Sequence, residues 1–312
     1  MPPMDVVWDM ETQDPDDFLT LLLLLGHPGV RLRAVTITPG STHQVGLVRR
    51  ALGWFGADLP VGAGNLDHPK SCVSSWHERA YGEVLPSREA EPAGEVLRRC
   101  CDERTTLITG GPLKNLGAAM QIPGFRVGRL VVQGGFAGEG VVPREQQLEK
   151  FKGRATCPTF NLNGDPRSAL AALAFPGIGA RRFVSKNVCH GVVYDRAMHQ
   201  ALGDIKGGSR SLGLIWQGME VFLNRKEGRH GARDEDGVGK MLHDPLAACC
   251  AIDEAVGSWA EVEIFRERGE WGARLRPGSG TWIITAYDRE RFWSVLTCRS
   301  AQVVSVSASP PG

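Results

Sequence analysis

The sequence predicts an α/β fold, a mostly parallel central sheet flanked by helices with a small antiparallel addition near the C-terminus. Three observations lead there. Short apolar runs with β-branched residues alternate with helix-period segments from Val6 to Ser185. The breaks after the strand-like runs are rich in Gly, Pro and Asp, as where a buried strand turns into a crossover helix. Hydrophobic residues make up 42% of 312 residues, enough to cover both faces of such a sheet.

Val6-Val7-Trp8 reads as the first buried strand. An acidic loop follows, then an apolar helix through Leu25, stopped by Gly26 and Pro28. Leu32 to Ile37 alternates and is the second strand; His43 to Phe55 is helical; Leu59 to Gly64 is a short strand ending in a Gly turn. Glu95 to Cys101 is a helix, Thr105 to Thr109 a strand broken by Gly110-Gly111-Pro112, and Leu113 to Met120 the next helix. Arg129 to Gln133 is a strand, Pro166 to Ala174 a helix and Arg182 to Ser185 a strand. Glu261 to Phe265 and Thr281 to Thr285 alternate in period two and predict the antiparallel addition. One domain is expected over residues 1–304, with a disordered tail over 305–312.

The formal net charge is +1, so no nucleic-acid or membrane-surface partner is expected. The longest apolar run, Leu19 to Leu25 with Thr20 inside it, is far too short to cross a bilayer. Eight cysteines include the vicinal pairs Cys100-Cys101 and Cys249-Cys250 but no CxxC spacing. With no secretory leader recognised, reduced and mostly buried thiols in a cytoplasmic protein are expected.

Ligands of open parallel sheets bind beyond the carboxyl ends of the strands. Asp9, Glu11, Asp14, Asp16 and Asp17 place five carboxylates in nine residues at such an end. They repel one another, and a hard cation would compensate; a solvated acidic turn is the ordinary alternative. His243-Asp244-Pro245 opens a late apolar helix, where Asp244 could simply cap it. Thr109-Gly110-Gly111 and Gln133-Gly134-Gly135 expose carbonyls after strands, and Asn161 and Asn163 place amides before a helix. Trp216, Met219 and Phe222 lie on a helix that is either core or a lid, and Trp76-His77 is a second lid candidate. Lys150 to Arg154 is a basic run.

Together these segments resemble the inosine-uridine nucleoside hydrolase family through roughly the first 290 residues. The matching pieces are the acidic loop ending in Asp16-Asp17, Thr109 to Leu116, the Asn161 segment before Asp165-Pro166, and His243 to Ala247. The resemblance implies a calcium-dependent N-ribohydrolase. Asp17, the Thr109 carbonyl and Asp244 would be calcium ligands. Asp16 and Asn161 would hold the ribose, Trp216 would lie in the region covering the base, and His243 would protonate the leaving group. The first loop is one residue longer than the family's, so either Glu11 or Asp14 stands for the acid that binds metal and takes the proton from water. Ser41, Gly153 and Thr159 replace family residues, Thr159 standing for a Glu at the ribose 5′-hydroxyl. A ribonucleoside or 5′-modified ribonucleoside is therefore the expected substrate, with Lys152 and Arg154 as candidate contacts to a 5′-phosphate. The resemblance further implies purine or pyrimidine salvage and a homo-oligomer, dimer or tetramer.

Two other classes compete. One is a non-catalytic calcium- or ribosyl-binding module. The other is a phosphatase, since Asp9-Met10-Glu11-Thr12 also resembles the aspartyl nucleophile motif of haloacid dehalogenase-like phosphatases.

Overall fold

The structure, a computed structural model, describes residues 2–224, 233–234 and 237–298. The expected tail at 305–312 lies outside the described residues. In chain order the strands are β1 (Met4–Met10), β2 (Val30–Ile37), β3 (Val61–Ala63), β4 (Glu91–Pro92), β5 (Thr106–Thr109), β6 (Val127–Gln133), β7 (Thr156–Cys157), β8 (Ile178–Val184), β9 (Val193–Tyr194), β10 (Arg233–Asp234), β11 (Gly237–Val238), β12 (Lys240–Met241), β13 (Gly257–Glu267), β14 (Glu270–Leu275) and β15 (Thr281–Tyr287). The helices are α1 (Pro15–Gly26), α2 (Thr42–Phe55), α3 (Ser75–Tyr81), α4 (Ala93–Cys100), α5 (Lys114–Met120), α6 (Phe160–Gly164), α7 (Pro166–Ala174), α8 (Lys186–Cys189), α9 (Arg196–Gly203), α10 (Arg210–Leu223), α11 (His243–Ile252) and α12 (Arg289–Leu296).

Eleven strands form one sheet in the order β4-β3-β2-β1-β5-β6-β8-β15-β13-β14-β7. From β4 through β15 every neighbouring pair is parallel. β1 is central because it is apolar on both faces: Val6, Trp8 and Met10 join one core and Val7 the other. The first core lies under α1, α2, α10 and α11, the second under α4, α5 and α7. The run Leu21 to Leu24 is buried because α1 packs against the sheet and also against α10 and α11.

The antiparallel part differs in detail from the sequence reading. Thr281 to Thr285 lies in β15, which runs parallel to β8 within the main sheet and antiparallel to β13. β14, missed in the sequence, extends β13 through a turn at Arg268 and Gly269, both at positive φ. Its Glu-Trp-Gly-Ala-Arg-Leu composition has no β-branched residue, so it carries little strand signal. All eight cysteines are unbridged, and six are buried. No helix among the described residues is long and apolar enough to cross a membrane.

Candidate active site

β1 delivers the acidic loop to the carboxyl end of the sheet. Asp14 occupies the N-cap position of α1 with Pro15 at its first position, and Asp16 and Asp17 fall in the first turn. Proline's fixed φ starts the helix there, and the amide dipoles favour negative charge at that end. α11 brings Asp244 to the same place. Its N-cap is Leu242, so Asp244 sits inside the first turn and the capping alternative is not observed.

Asp16, Asp17 and Asp244 each bring one carboxylate oxygen within 4.8 Å of the others, all three buried. Asp17 Oδ1 accepts from the Glu11 amide at 3.0 Å. Asp16 Oδ2 accepts from the amides of His243 at 2.9 Å and Asp244 at 3.3 Å. Asp244 Oδ1 is buried without a hydrogen-bond partner among the described residues. Gly110, just after β5, closes the third side: a Cβ there would lie 2.7 Å from Asp244 Oδ1 and 3.0 Å from Asp17 Oδ1. Thr109, the expected carbonyl donor, is its chain neighbour and pairs in register with Asp9. Burial, followed by the charges of nearby carboxylates, pushes Asp17 and Asp244 well above the usual carboxylate range. Hard oxygen donors, an orphaned buried carboxylate oxygen and a wall that admits only glycine together fit a divalent cation.

Lys240, which the sequence reading passed over, supplies a cation from the chain itself. Its buried ammonium donates to Asp14 Oδ1 and Asp16 Oδ1, both at 2.9 Å, and to the Met241 carbonyl at 2.5 Å. Burial alone would raise Asp16, but the Lys240 charge pulls it down to about 2. Glu11 is pushed up to about 7 by burial and then by the charges of Asp14 and Asp16, and Asp14 to about 6 by burial and Asp16 against the pull of Lys240. The only local signal for Lys240 is a charged residue among glycines and apolar residues three positions before His243.

The site opens into a cleft of about 620 Å³ lined by Glu11, Asp14, Asp16, Asp17, Gly110 and Asp244 at one end, with Trp76, Phe160, Asn161, Phe222, Lys240 and His243 around it. The Asn161 amide nitrogen donates to Gly110 O at 2.9 Å and to Gln133 Oε1 at 2.7 Å, fixing the side chain on the wall. His243 Nε2 is buried without a partner among the described residues, and burial pushes the ring down to about 4 despite the Asp16 charge.

One expectation is corrected, and one alternative loses its nucleophile. Trp216 does not line the cleft: it stacks on His199 at 5.0 Å and carries Lys206 over its ring at 3.1 Å. Trp216 and Phe222 are six positions apart, about 240° around a helix, so α10 cannot aim both at the cleft; Phe222 and the α3 residue Trp76 hold that place. Asp9 is also outside the cleft lining. Its Oδ1 accepts from Thr36 Oγ1 at 2.6 Å and Asn115 Nδ2 at 2.8 Å beneath the sheet end, leaving no exposed nucleophile for the phosphatase reading. Ser41 caps α2 through a reciprocal box with Gln44.

Comparison with known proteins agrees with this geometry. The sequence model of the inosine-uridine preferring nucleoside hydrolases matches residues 6–294. The chain belongs to that family, a class of N-glycosyl hydrolases. An uncharacterized protein of Aquifex aeolicus (strain VF5) is 26% identical over 92% of this chain and 96% of its own length. The pyrimidine-specific ribonucleoside hydrolase RihA of Shewanella sp. (strain MR-7) is 30% identical over 40% of this chain and 45% of its own. The fold matches that of a plant nucleoside hydrolase, with TM-score 0.71 and 19% identity, covering 96% of this chain and 99% of that one. It also matches a purine-preferring ribonucleoside hydrolase of Gardnerella vaginalis, with TM-score 0.67 and 17% identity, covering 95% and 97%.

Proposed function

We propose that this hydrolase cleaves the N-glycosidic bond of a ribonucleoside or 5′-modified ribonucleoside, using calcium as its cation. The observation that carries the reading is the buried Asp17–Asp244 pair closing on Gly110, beside a Glu11 carboxylate that has no cationic partner among the described residues. Asp17, Asp244, the Thr109 carbonyl and Glu11 would hold calcium, which when bound supplies a positive charge that lowers the pKa of a water.

Glu11 is the general base rather than Asp14. Asp14 is committed to Lys240, whereas Glu11 has no cationic partner among the described residues and is left to take the proton from water. Asp16, kept ionised by Lys240 and two backbone amides, retains lone pairs for a ribose hydroxyl. Asn161, anchored on the Gly110 and Gln133 carbonyls, fixes the sugar beside the acidic end. N-glycosidic cleavage develops oxocarbenium character, and the acidic end of the cleft stabilises that positive charge. His243, neutral in the folded protein, offers its ring to the departing base. The same reading places the enzyme in cytoplasmic purine or pyrimidine salvage, as a dimer or tetramer.

The test is base release from a panel of nucleosides, 5′-nucleotides and 5′-modified nucleosides with and without calcium, in wild type and Asp17→Asn. Calcium-dependent release that falls by about a thousandfold in the variant is expected, the scale of losing one preorganised charge in a dry site. A variant that keeps its rate would refute the assignment. Tight calcium binding with no release from any nucleoside, 5′-nucleotide or 5′-modified nucleoside would favour the binding-module reading instead.

A further inference from the structure

The basic run Lys150 to Arg154 does not act as a unit. Lys152 pairs with Glu149, and the Arg154 guanidinium lies 3.7 Å from Glu270 Oε1. Both therefore have carboxylate partners. Lys150 turns the other way, its Nζ 2.9 Å from His190 Nδ1 and 5.3 Å from the Phe151 ring centroid. Lys186 Nζ lies 5.8 Å from the same ring and donates to the Pro158 carbonyl at 3.0 Å. Among the described residues neither lysine has a carboxylate partner. Burial and then the Lys186 charge lower the basicity of Lys150, as expected of two ammonium groups held together without an anion.

This patch adjoins the cleft at three points. The His190 ring stacks on His243 at 4.7 Å, and His243 lines the cleft. Cys189 accepts from Gln133 Nε2 at 3.4 Å, and Gln133 lines it too. Pro158, held by Lys186, begins the segment that carries Phe160 and Asn161 into the lining. In that segment Thr159 Oγ1 is buried with no partner among the described residues. Lys186 and His190 lie on one turn, the His190 amide donating to the Lys186 carbonyl at 3.3 Å. That turn is seated by the Lys186 amide on the carbonyl of Gly135, whose φ of 82° only glycine adopts readily. Cys189, His190 and His243 also approach within 4.8 Å of one another, but the Lys150 ammonium on His190 disfavours a metal cation there.

We propose that Lys150, Lys186 and His190 form a subsite at the cleft rim for the phosphate of a phosphorylated ribosyl substrate. Two ammonium groups beside one ring, with no carboxylate partner among the described residues, match a dianion. A neutral threonine where a carboxylate would repel phosphate completes the match. The proposal rests on the hydrolase reading for the rest of the substrate.

Calorimetric titration of the intact protein with ribose 5-phosphate, ribose and inorganic phosphate tests it, beside base release from nucleosides and their 5′-monophosphates. Ribose 5-phosphate should bind about tenfold or more tighter than ribose, and Lys150→Gln/Lys186→Gln should abolish the difference. Lys150→Gln alone, which should remove part of it, keeps the test available if the double variant loses its fold. Equal affinity for the two sugars, a preference that survives in the variants, or inorganic phosphate binding as tightly as ribose 5-phosphate would overturn the subsite. No release from any compound, with the preference intact, would instead sink the hydrolase reading and leave the subsite standing.

Discussion

At the end of the cleft built by β1, α1 and α11, Glu11, Asp14, Asp16, Asp17 and Asp244 crowd together, and one lysine, Lys240, pairs with two of them, Asp14 and Asp16. At the rim, Lys150 and Lys186 converge with no carboxylate partner among the described residues. Asp16, Asp17 and Asp244 are buried, so their charges must be satisfied within the fold, by Lys240, by backbone amides or by the proposed cation. The rim is closer to solvent, and water can carry its unpaired charge until a ligand arrives. Mutations at the acidic end should therefore cost stability as well as turnover, whereas those at the rim should change ligand preference alone.

The sharpest way to break this comparison is Lys240→Met. Removing the ammonium leaves Asp16, 1% exposed, buried with only its backbone donors. Breaking a buried pair on one side costs about 3 kcal/mol or more. Urea unfolding should show that loss, and Lys240→Arg should recover part of it. A change below about 0.5 kcal/mol would mean that the acidic end does not depend on its internal cation.

Gly110→Ala sharpens the same contrast with a smaller effect. The new Cβ would meet Asp244 Oδ1 at 2.7 Å and Asp17 Oδ1 at 3.0 Å, distances at which something must move. A displacement on that scale costs catalysis about a hundredfold and should weaken calcium binding with it. The calcium-induced rise in Tm, which reports affinity for the folded state, should shrink in parallel. Unchanged calcium stabilisation with lost activity would separate the glycine's role from the cation site.

The acidic end was legible in the sequence because its carboxylates are local: five in nine residues after an apolar strand, and an Asp beside a His at a helix start. The strands around it were legible for the same reason, since period-two and period-3.6 patterns are properties of short windows. The ground for proposing Glu11 over Asp14 was not legible, because it is Lys240, which folding brings to Asp14 from across the chain. The rim was half legible. The basic run stood out, but which of its cations are neutralised depends on Glu149, Glu270 and His190. Trp216 was misassigned because helix membership alone does not say which way a side chain faces.

Helix α3 offers the smallest test, and one that separates burial from charge pairing. α3 places Trp76 on the cleft, its indole N–H donating to the Gly218 carbonyl of α10 at 2.9 Å. His77 behind it is fully buried, with Nδ1 3.0 Å from Ser74 Oγ, Nε2 unpartnered and its ring edge-on to Phe18 and Trp76. Burial pushes it down to about 4, so in the folded protein it stays neutral where the unfolded chain takes a proton near 6.5. The unfolded state therefore binds more protons between pH 6.5 and 4, and stability falls as the pH drops through that window. From pH 6.5 to 5 the loss from this one group is about 1.6 kcal/mol. His77→Phe should remove that share, so the gap between variant and wild type in urea unfolding should widen in the variant's favour as the pH falls. An unchanged gap would place the acid sensitivity elsewhere. A KM that rises with acid in wild type but less in the variant would tie the loss to the seat of Trp76 over the substrate.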